Sequence, residues 1–352
     1  LHLTCMPGAM GAAPTRSREL VVGRRSSRGY LGFGGASTPV AARTGGGRRA
    51  PRMGMAARAV SSSPNSAALK EIDAAATFSS TCAWLGEHVF RYRRQVVDMQ
   101  IRKCFPEFDE TQLTRTRRGF YRNFMDVMVE SIKALTMTGE ELDRRVELVG
   151  IERVRAQIEA GHSVIVATSH VCNWEWALQS ISRHLGHPMD AAYKPLHNEW
   201  ADRLFLTLRS RFGANMIPDR RVLMHILRRR RQPRAIAMVA DQDPTLAAVR
   251  HTTLFFGHET NFFMGPEAIA RAAQCAVMYV AIERTRRGHY RIELEPLVEA
   301  GEELPAGGII DRFVARSEAQ IRAHPADWLW AYRRWKKRRA SRPERAAKEH
   351  PG

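Results

Sequence analysis

The sequence predicts an α/β protein with a central mixed, largely parallel sheet that is covered by helices, preceded by a helical N-terminal portion. From residue 163 onward, short β-branched runs alternate with amphipathic helical patterns, which is typical of strands joined by covering helices. Between residues 66 and 160, apolar residues recur at three- and four-residue spacing, which favours helices. Hydrophobic residues make up 44% of the 352 residues, so the chain can bury a globular core.

The same patterns place each element along the chain. Apolar spacing predicts helices over residues 66–92, 109–136, 139–160, 174–185, 198–211, 222–231 and 265–273. Runs of β-branched residues predict strands over residues 163–167, 189–193, 235–240, 276–283 and 290–295. The run SVIVA at 163–167 is nearly continuous in apolar character, as expected of a strand that is buried on both faces. The four arginines at 228–231 are predicted to form the charged last turn of their helix.

Composition divides the chain into four segments. Residues 1–65 hold 11 of the 25 glycines, ten arginines and one acid, and are predicted to be a disordered basic leader. This leader has no apolar core of a signal peptide, and a start nearer Met53 or Met55 is one interpretation of it. Residues 66–160 form the helical N-terminal portion and 161–338 the α/β core, expected as one domain, with a basic tail at 339–352.

The net charge of +19 predicts an anionic partner, whether nucleic acid, an acidic membrane surface or an anionic substrate. Trp328, Tyr332 and Trp335 have helical spacing beside the basic tail. They are consistent both with an amphipathic basic helix at a membrane interface and with a solvated helix end whose aromatics pack on the core. No run of 18 apolar residues occurs, which excludes a polytopic membrane protein. The five cysteines are scattered without a CxxC pair, so we expect reduced thiols and no metal site.

The first predicted strand leads directly into a candidate catalytic loop. His170 and Glu175 lie there, five residues apart, where ligands bind beyond the carboxyl ends of strands in α/β sheets. A carboxylate beside an imidazole fixes its tautomer and stabilises its protonated form, so the pair is a candidate acid–base dyad. Such a base can take a proton from a hydroxyl, but a histidine and an acid at this spacing also occur by chance.

Several ordered blocks make the pattern specific. They are YRRQVV (92–97) with CFPE (104–107), SHVCNWE (169–175), DQDP (241–244) with LFFG (254–257), TNFFMGPEAIAR (260–271) and WAYRRWK (330–336). Over about residues 80–338 these blocks resemble the bacterial lipid A late acyltransferases of the lauroyl/myristoyl branch. That family lies within the HX4(D/E) glycerolipid acyltransferase-like superfamily, so the resemblance implies a glycerolipid-acyltransferase-like fold.

The resemblance implies an O-acyltransferase that moves a fatty acyl chain from an acyl carrier protein or coenzyme A thioester to a hydroxyl of a lipid or glycolipid. It favours a lipid A-type precursor as acceptor and His170 as general base, oriented by Glu175. It implies a substrate-binding role for Asn173, Trp174, Tyr193, Lys194, Asn198, Asp241 and Gln242. No cofactor is expected, because the acyl thioester is a co-substrate. The expected location is the cytoplasmic face of the bacterial inner membrane, peripheral or weakly anchored at an anionic surface.

Three departures from the family pattern bear on these expectations. Polar residues interrupt the segment at 76–90, where the family has a hydrophobic anchor, so a membrane-spanning helix is not expected. Tyr332 stands where the family has histidine, and Pro244 with the neutral stretch 245–249 replaces a polar loop, which leaves an acceptor other than lipid A open. Two alternatives stand beside the enzyme: a non-catalytic homologue that binds membrane lipid, and a basic nucleic-acid-binding protein, although no specific nucleic-acid partner is expected.

Overall fold

The computed structural model describes residues 78–84, 86–87, 91–244 and 250–335. The predictions for residues 1–65, for the stretch 245–249 and for the basic tail at 339–352 lie outside these residues. The helices are α1 (Arg94–Cys104), α2 (Glu110–Lys133), α3 (Gly139–Arg145), α4 (Ile151–Glu159), α5 (Trp174–Leu185), α6 (Glu199–Ser210), α7 (Val222–Arg228), α8 (Gly265–Ala273) and α9 (Gly308–Ala323). The strands are β1 (Val146–Val149), β2 (Val164–Thr168), β3 (Met189–Tyr193), β4 (Ala214–Pro218), β5 (Ala235–Val239), β6 (Arg250–Phe255), β7 (His258–Phe263), β8 (Ala276–Arg286) and β9 (His289–Val298).

The central sheet is mixed and largely parallel, which confirms the predicted fold class. Its strand order is β1-β9-β8-β2-β5-β3-β4. Strands β8, β2, β5, β3 and β4 run parallel to one another, whereas β9 is antiparallel to β8 and β1 is parallel to β9. Strand β2 therefore lies in the middle of the sheet, and all five of its residues are buried, as its apolar composition requires.

Helices cover both faces of this sheet. On one face, Ser182 of α5 lies 3.1 Å from the sulfur of Met189 in β3. On the other face, the Tyr279 hydroxyl of β8 donates a 2.7 Å hydrogen bond to Gln320 of α9. Burial of the sheet on two sides is the arrangement that strands without polar alternation demand.

The N-terminal portion is helical where the structure describes it, with residues 78–84 in a helix followed by α1 and α2. The start of α2 is fixed by a capping box in which the Asp109 side chain accepts from Gln112 N and the Gln112 side chain accepts from Asp109 N. Further along α2, the Asn123 amide donates a 2.6 Å hydrogen bond to Asp327, a residue of the short 3₁₀ turn Pro325–Asp327. This hydrogen bond joins helix α2 to the 3₁₀ turn that precedes residues 328–335.

Several sequence predictions differ from the structure. The helix predicted over 139–160 is divided into α3 and α4 by the four-residue strand β1, which pairs with β9. Residues 328–335 form no helix, although both interpretations of the aromatics beside the basic tail expected a helix there. The helix predicted over 222–231 ends at Arg228, so Arg229 to Arg231 follow it instead of forming its last turn. The hairpin β6–β7, strand β4 and helices α1 and α9 had no sequence prediction.

An aromatic cluster forms where the hairpin β6–β7 meets residues 328–335. The rings of Trp328 and Trp330 lie 4.7 Å apart in an edge-to-face arrangement. Phe255 contacts Trp328 at 5.7 Å and Trp335 at 6.1 Å between ring centroids. Buried aromatic pairs of this geometry stabilise a fold by more than their buried area alone would, so the cluster holds residues 328–335 against the fold without helical structure.

None of the helices that the structure describes combines the length and the apolar character of a membrane-spanning segment.

Candidate active site

Two loops beyond the carboxyl ends of β2 and β5 bring His170 and Asp241 together. The two strands are parallel neighbours, and Thr168 at the end of β2 is in register with Val239 at the end of β5. His170 and Asp241 each follow by two residues, so equal offsets from paired residues place them side by side. The His170 Nδ1 atom lies 2.6 Å from Asp241 Oδ1, and the His170 backbone N–H donates to Asp241 Oδ2 at 3.0 Å.

Asp241 is buried, with 2% of its surface exposed. The hydrogen bonds that it accepts favour its ionised form. Besides the two bonds from His170, its Oδ2 atom accepts from the indole N–H of Trp328 at 2.8 Å. Burial by itself raises the pKa of this carboxyl, but the facing imidazole and the donated hydrogen bonds outweigh burial and lower the pKa from its usual value. The carboxylate is thus a fixed negative charge against Nδ1.

Glu175 does not orient His170, which corrects the pairing expected from the sequence. Both of its oxygens are bound by the Arg209 guanidinium of α6, at 2.6 Å and 2.9 Å, and the carboxylate is 1% exposed. Burial would raise the pKa of Glu175, but the charge and the hydrogen bonds of Arg209 dominate and lower it to about 2. The physical reason is direction: Glu175 lies on the first turn of α5 and is turned toward α6, whereas Asp241 already occupies the Nδ1 side of the imidazole.

The other ring nitrogen of His170 faces the Gln242 side chain. Its Nε2 atom lies 3.2 Å from the Gln242 amide nitrogen, and the imidazole side chain is 13% exposed. The ring of Trp174 stands edge-on to the imidazole with 5.1 Å between centroids. The imidazole is therefore held by Asp241 on one nitrogen and in contact with the half-buried Gln242 side chain on the other.

Asn173 serves the loop itself. Its side-chain oxygen accepts from Trp176 N and caps α5, while its amide nitrogen donates to the buried Glu130 carboxylate at 2.8 Å. Glu130 also accepts from the Tyr290 hydroxyl at 2.6 Å, and burial raises the pKa of this carboxyl. Both ends of the Asn173 amide are thus engaged within the protein, which differs from the expected contact with substrate.

Tyr193, Lys194 and Asn198 lie at the carboxyl end of β3, the strand beside β5. Tyr193 is half-buried, whereas Lys194 and Asn198 are exposed. The Asn198 side chain accepts from Ala201 N at 2.9 Å and caps α6. These residues share the sheet edge that carries His170, and none of the described hydrogen bonds joins them to it.

A narrow crevice opens beside Trp174, between α2 and residues 326–329. It is lined by Phe120, Asn123, Phe124, Val127, Cys172, Trp174, Ala326, Asp327, Trp328 and Leu329. Its volume of about 10 Å³ holds a single water molecule. The crevice is therefore too small to hold an organic substrate.

Cys172 lies within the same loop but is not placed to react. Its backbone adopts a left-handed conformation with φ of 46°, and its thiol is buried. Burial raises the pKa of this thiol well above its ordinary value, which keeps it protonated. The loop therefore offers an imidazole base and no thiolate nucleophile.

Comparison with known proteins decides the family. The sequence model of the family described as bacterial lipid A biosynthesis acyltransferase matches residues 68–337. The chain belongs to this acyltransferase family. A lipid A biosynthesis acyltransferase of Haemophilus influenzae is 22% identical over 223 residues, which is 62% of this chain and 69% of that protein.

Two mycobacterial relatives extend the range of acceptors in the comparison. A phosphatidylinositol mannoside acyltransferase of Mycobacterium tuberculosis is 25% identical over 215 residues, covering 58% of this chain and 66% of that protein. One of Mycolicibacterium smegmatis is 24% identical over 211 residues, covering 58% and 67%. The alignments therefore span about two thirds of each relative, and the relatives are named for two different glycolipid acceptors.

Three residues contribute contacts to the site without being among the predicted site residues. The Arg209 guanidinium binds the Glu175 carboxylate. Glu130 and Trp328 lie 40 and more residues from the HX4E loop, and nothing in their local sequence indicates a contact with it. Asp241 was expected to bind substrate, and the signal that could have paired it with His170 is its equal offset from the strand end, given the position of β5 beside β2.

Proposed function

We propose that this acyltransferase moves a fatty acyl chain from a thioester donor to a hydroxyl group of a glycolipid acceptor, with His170 as general base. The observation that carries the proposal is the 2.6 Å contact between His170 Nδ1 and the buried Asp241 carboxylate. It fixes the tautomer with the proton on Nδ1, so that Nε2 presents a lone pair toward Gln242.

The chemistry follows from this tautomer. The acceptor hydroxyl takes the place of the Gln242 amide at Nε2 and gives its proton to the imidazole while its oxygen attacks the thioester carbonyl carbon. The tetrahedral intermediate collapses with cleavage of the carbon–sulfur bond, and the imidazolium returns the proton to the leaving thiolate. Asp241 keeps the imidazolium in place and balances its charge throughout the step.

The Glu175–Arg209 pair supports the reaction indirectly. It ties the first turn of α5 to α6 beside the catalytic loop, and so holds the helix N-terminus toward the site. A helix N-terminus favours negative charge, which develops on the thioester oxygen in the transition state. The Val171 and Cys172 N–H groups bond to Ser169 O and Asp327 O. The backbone N–H groups of residues 173–175 are therefore the ones that we expect to stabilise the thioester oxygen.

We propose a lipid A-type precursor as the first acceptor to test and an acyl carrier protein thioester as the first donor. The relatives support both a lipid A-type and a phosphatidylinositol mannoside-type acceptor. The net charge of +19 supports peripheral association with an anionic membrane surface and with an acidic carrier protein. Mass spectrometry of reactions with each donor and each acceptor identifies the pair that is used.

The decisive variant is His170→Ala, measured with the donor and acceptor that the wild type uses. We expect a fall in kcat of at least a hundredfold with unchanged circular dichroism, because the proton has no other acceptor. The matched control is His225→Gln, since His225 also bonds a buried aspartate, Asp190, but at the opposite end of the sheet. Full turnover by the His170→Ala protein contradicts the proposal.

A further inference from the structure

Asp241 accepts three hydrogen bonds, and the one that does not come from His170 comes from a distant part of the chain. Its Oδ1 atom faces His170 Nδ1, and its Oδ2 atom is shared by His170 N at 3.0 Å and Trp328 Nε1 at 2.8 Å. Trp328 and Asp241 are separated by 87 residues in sequence, and both are buried, at 3% and 2% exposure. A donor held against the far oxygen of a carboxylate restricts rotation of that carboxylate.

Trp328 is itself fixed to the catalytic loop through its backbone. Val171 and Trp328 form an isolated antiparallel bridge, and Leu329 N donates to His170 O at 3.0 Å. The Cys172 N–H donates to Asp327 O at 3.0 Å on the other side of the bridge. The segment that carries the indole and the loop that carries the imidazole are therefore one hydrogen-bonded unit.

The indole ring is also held by its neighbours. Trp330 lies 4.7 Å and Phe255 5.7 Å from it between centroids, both edge-to-face. A further contact on the same segment fixes the loop after Asp241, because Asp243 N donates to the Tyr332 hydroxyl at 3.1 Å. The indole N–H thus reaches Asp241 from a packed ring that has little freedom to turn away.

We propose that Trp328 is a positioning residue of the reaction, which orients Asp241 against His170 through its indole N–H. The inference rests on the proposed function for its kinetic consequence, but the link between Trp328 and the His170–Asp241 pair exists independently of turnover. When the donor is lost, the carboxylate keeps a single N–H on Oδ2 and rotates more freely. The hydrogen bond to Nδ1 then lengthens, and the imidazole is less well aimed.

The test compares Trp328→Phe with Trp335→Phe in the full chain. Trp335 belongs to the same aromatic cluster, but its indole donates to Thr260 at 2.9 Å and does not contact Asp241. The first readout is the proton NMR resonance of His170 Nδ1–H, assigned by its disappearance in His170→Ala. We expect Trp328→Phe to shift this resonance upfield and Trp335→Phe to leave it in place.

The second readout is kinetic. A hydrogen bond to a charged group contributes about 1.5–3 kcal/mol, which corresponds to a fall in kcat of roughly ten- to a hundredfold. We expect this fall in Trp328→Phe with KM within about twofold of the wild type, whereas Trp335→Phe retains kcat. An unshifted Nδ1 resonance in Trp328→Phe overturns the proposal, as does a kcat equal to that of Trp335→Phe.

A second variant separates the lost donor from lost packing. Replacing Trp328 with 3-benzothienylalanine exchanges the indole N–H for sulfur and keeps the shape of the ring, so the same two effects are expected in a folded protein. If the proposed function is wrong, His170→Ala retains turnover. In proteins that keep His170, the Nδ1–H resonance still reports the Trp328 contact, so the two failures are distinguishable.

Discussion

The buried ion pair between Glu175 and Arg209 allows a quantitative prediction of how a substitution changes the unfolding free energy. We expect Glu175→Gln to destabilise the protein, because the substitution leaves the Arg209 guanidinium without a counter-charge. The Arg209 side chain is 16% exposed and that of Glu175 is 1% exposed, so solvent replaces little of the lost interaction. Truncating one partner of such a pair costs about 3–5 kcal/mol.

The lowered pKa of Glu175 gives a second, independent magnitude. A fall from 4.5 to about 2 corresponds to roughly 3 kcal/mol of stabilisation of the folded state, at 1.36 kcal/mol for each pKa unit. Because the pKa is depressed on folding, this contribution is complete above pH 4.5 and is lost as the pH falls toward 2. The difference in unfolding free energy between wild type and Glu175→Gln should therefore be constant near neutral pH and shrink below pH 4.5.

Urea unfolding followed by circular dichroism at pH 7 and pH 4 measures this difference. The control is Glu159→Gln, because Glu159 contacts His187 at 3.6 Å but its side chain is 65% exposed. An exposed pair contributes at most about 1 kcal/mol, so this variant should unfold close to the wild type. The reasoning about the buried pair is refuted if the unfolding free energies of Glu175→Gln and Glu159→Gln differ by less than about 0.5 kcal/mol at pH 7.

Two further predictions concern packing and thiol access. A Cβ atom at Gly119 would lie 2.8 Å from the Cβ of Ala326, so Gly119→Val should lower the unfolding free energy by about 1–3 kcal/mol, measured by urea denaturation; unchanged stability would show that this helix contact is loose. Cys172 and Cys275 are buried and burial raises the pKa of both thiols, so iodoacetamide should modify the half-buried Cys82 well before either of them in peptide mass spectrometry; early labelling of Cys172 would contradict its burial.

The fold was predictable from sequence where local pattern and burial agree. Helices at 174–185 and 265–273 and the strand at 189–193 have the predicted bounds. Strand β1 was missed because its four residues are too short to interrupt a helical pattern, and its partner β9 lies more than 140 residues away. Whether such a short segment forms a strand depends on its pairing with a distant strand, and the local pattern of one sequence does not show that pairing.

The position of His170 in the fold was predictable from the sequence, but its carboxylate partner was not. His170 follows a buried strand, which local sequence reveals. The choice between Glu175 and Asp241 depends on β5 lying beside β2 with Thr168 opposite Val239. Glu175 is nearer in sequence, and for that reason it was expected to orient the imidazole.

The division of work between these two carboxylates follows from the environment of each. Both are buried, both have a lowered pKa, and each is matched by one cationic or ionisable partner. Glu175 faces a guanidinium that stays charged at every physiological pH, so its pair is static and holds helix α5 in place. Asp241 faces an imidazole, which can be neutral or protonated, so its pair can respond to a proton that arrives at Nε2. A charge that changes during the reaction is what general-base catalysis requires, and on this physical ground we propose that the His170–Asp241 pair, and not Glu175, carries the proton transfer.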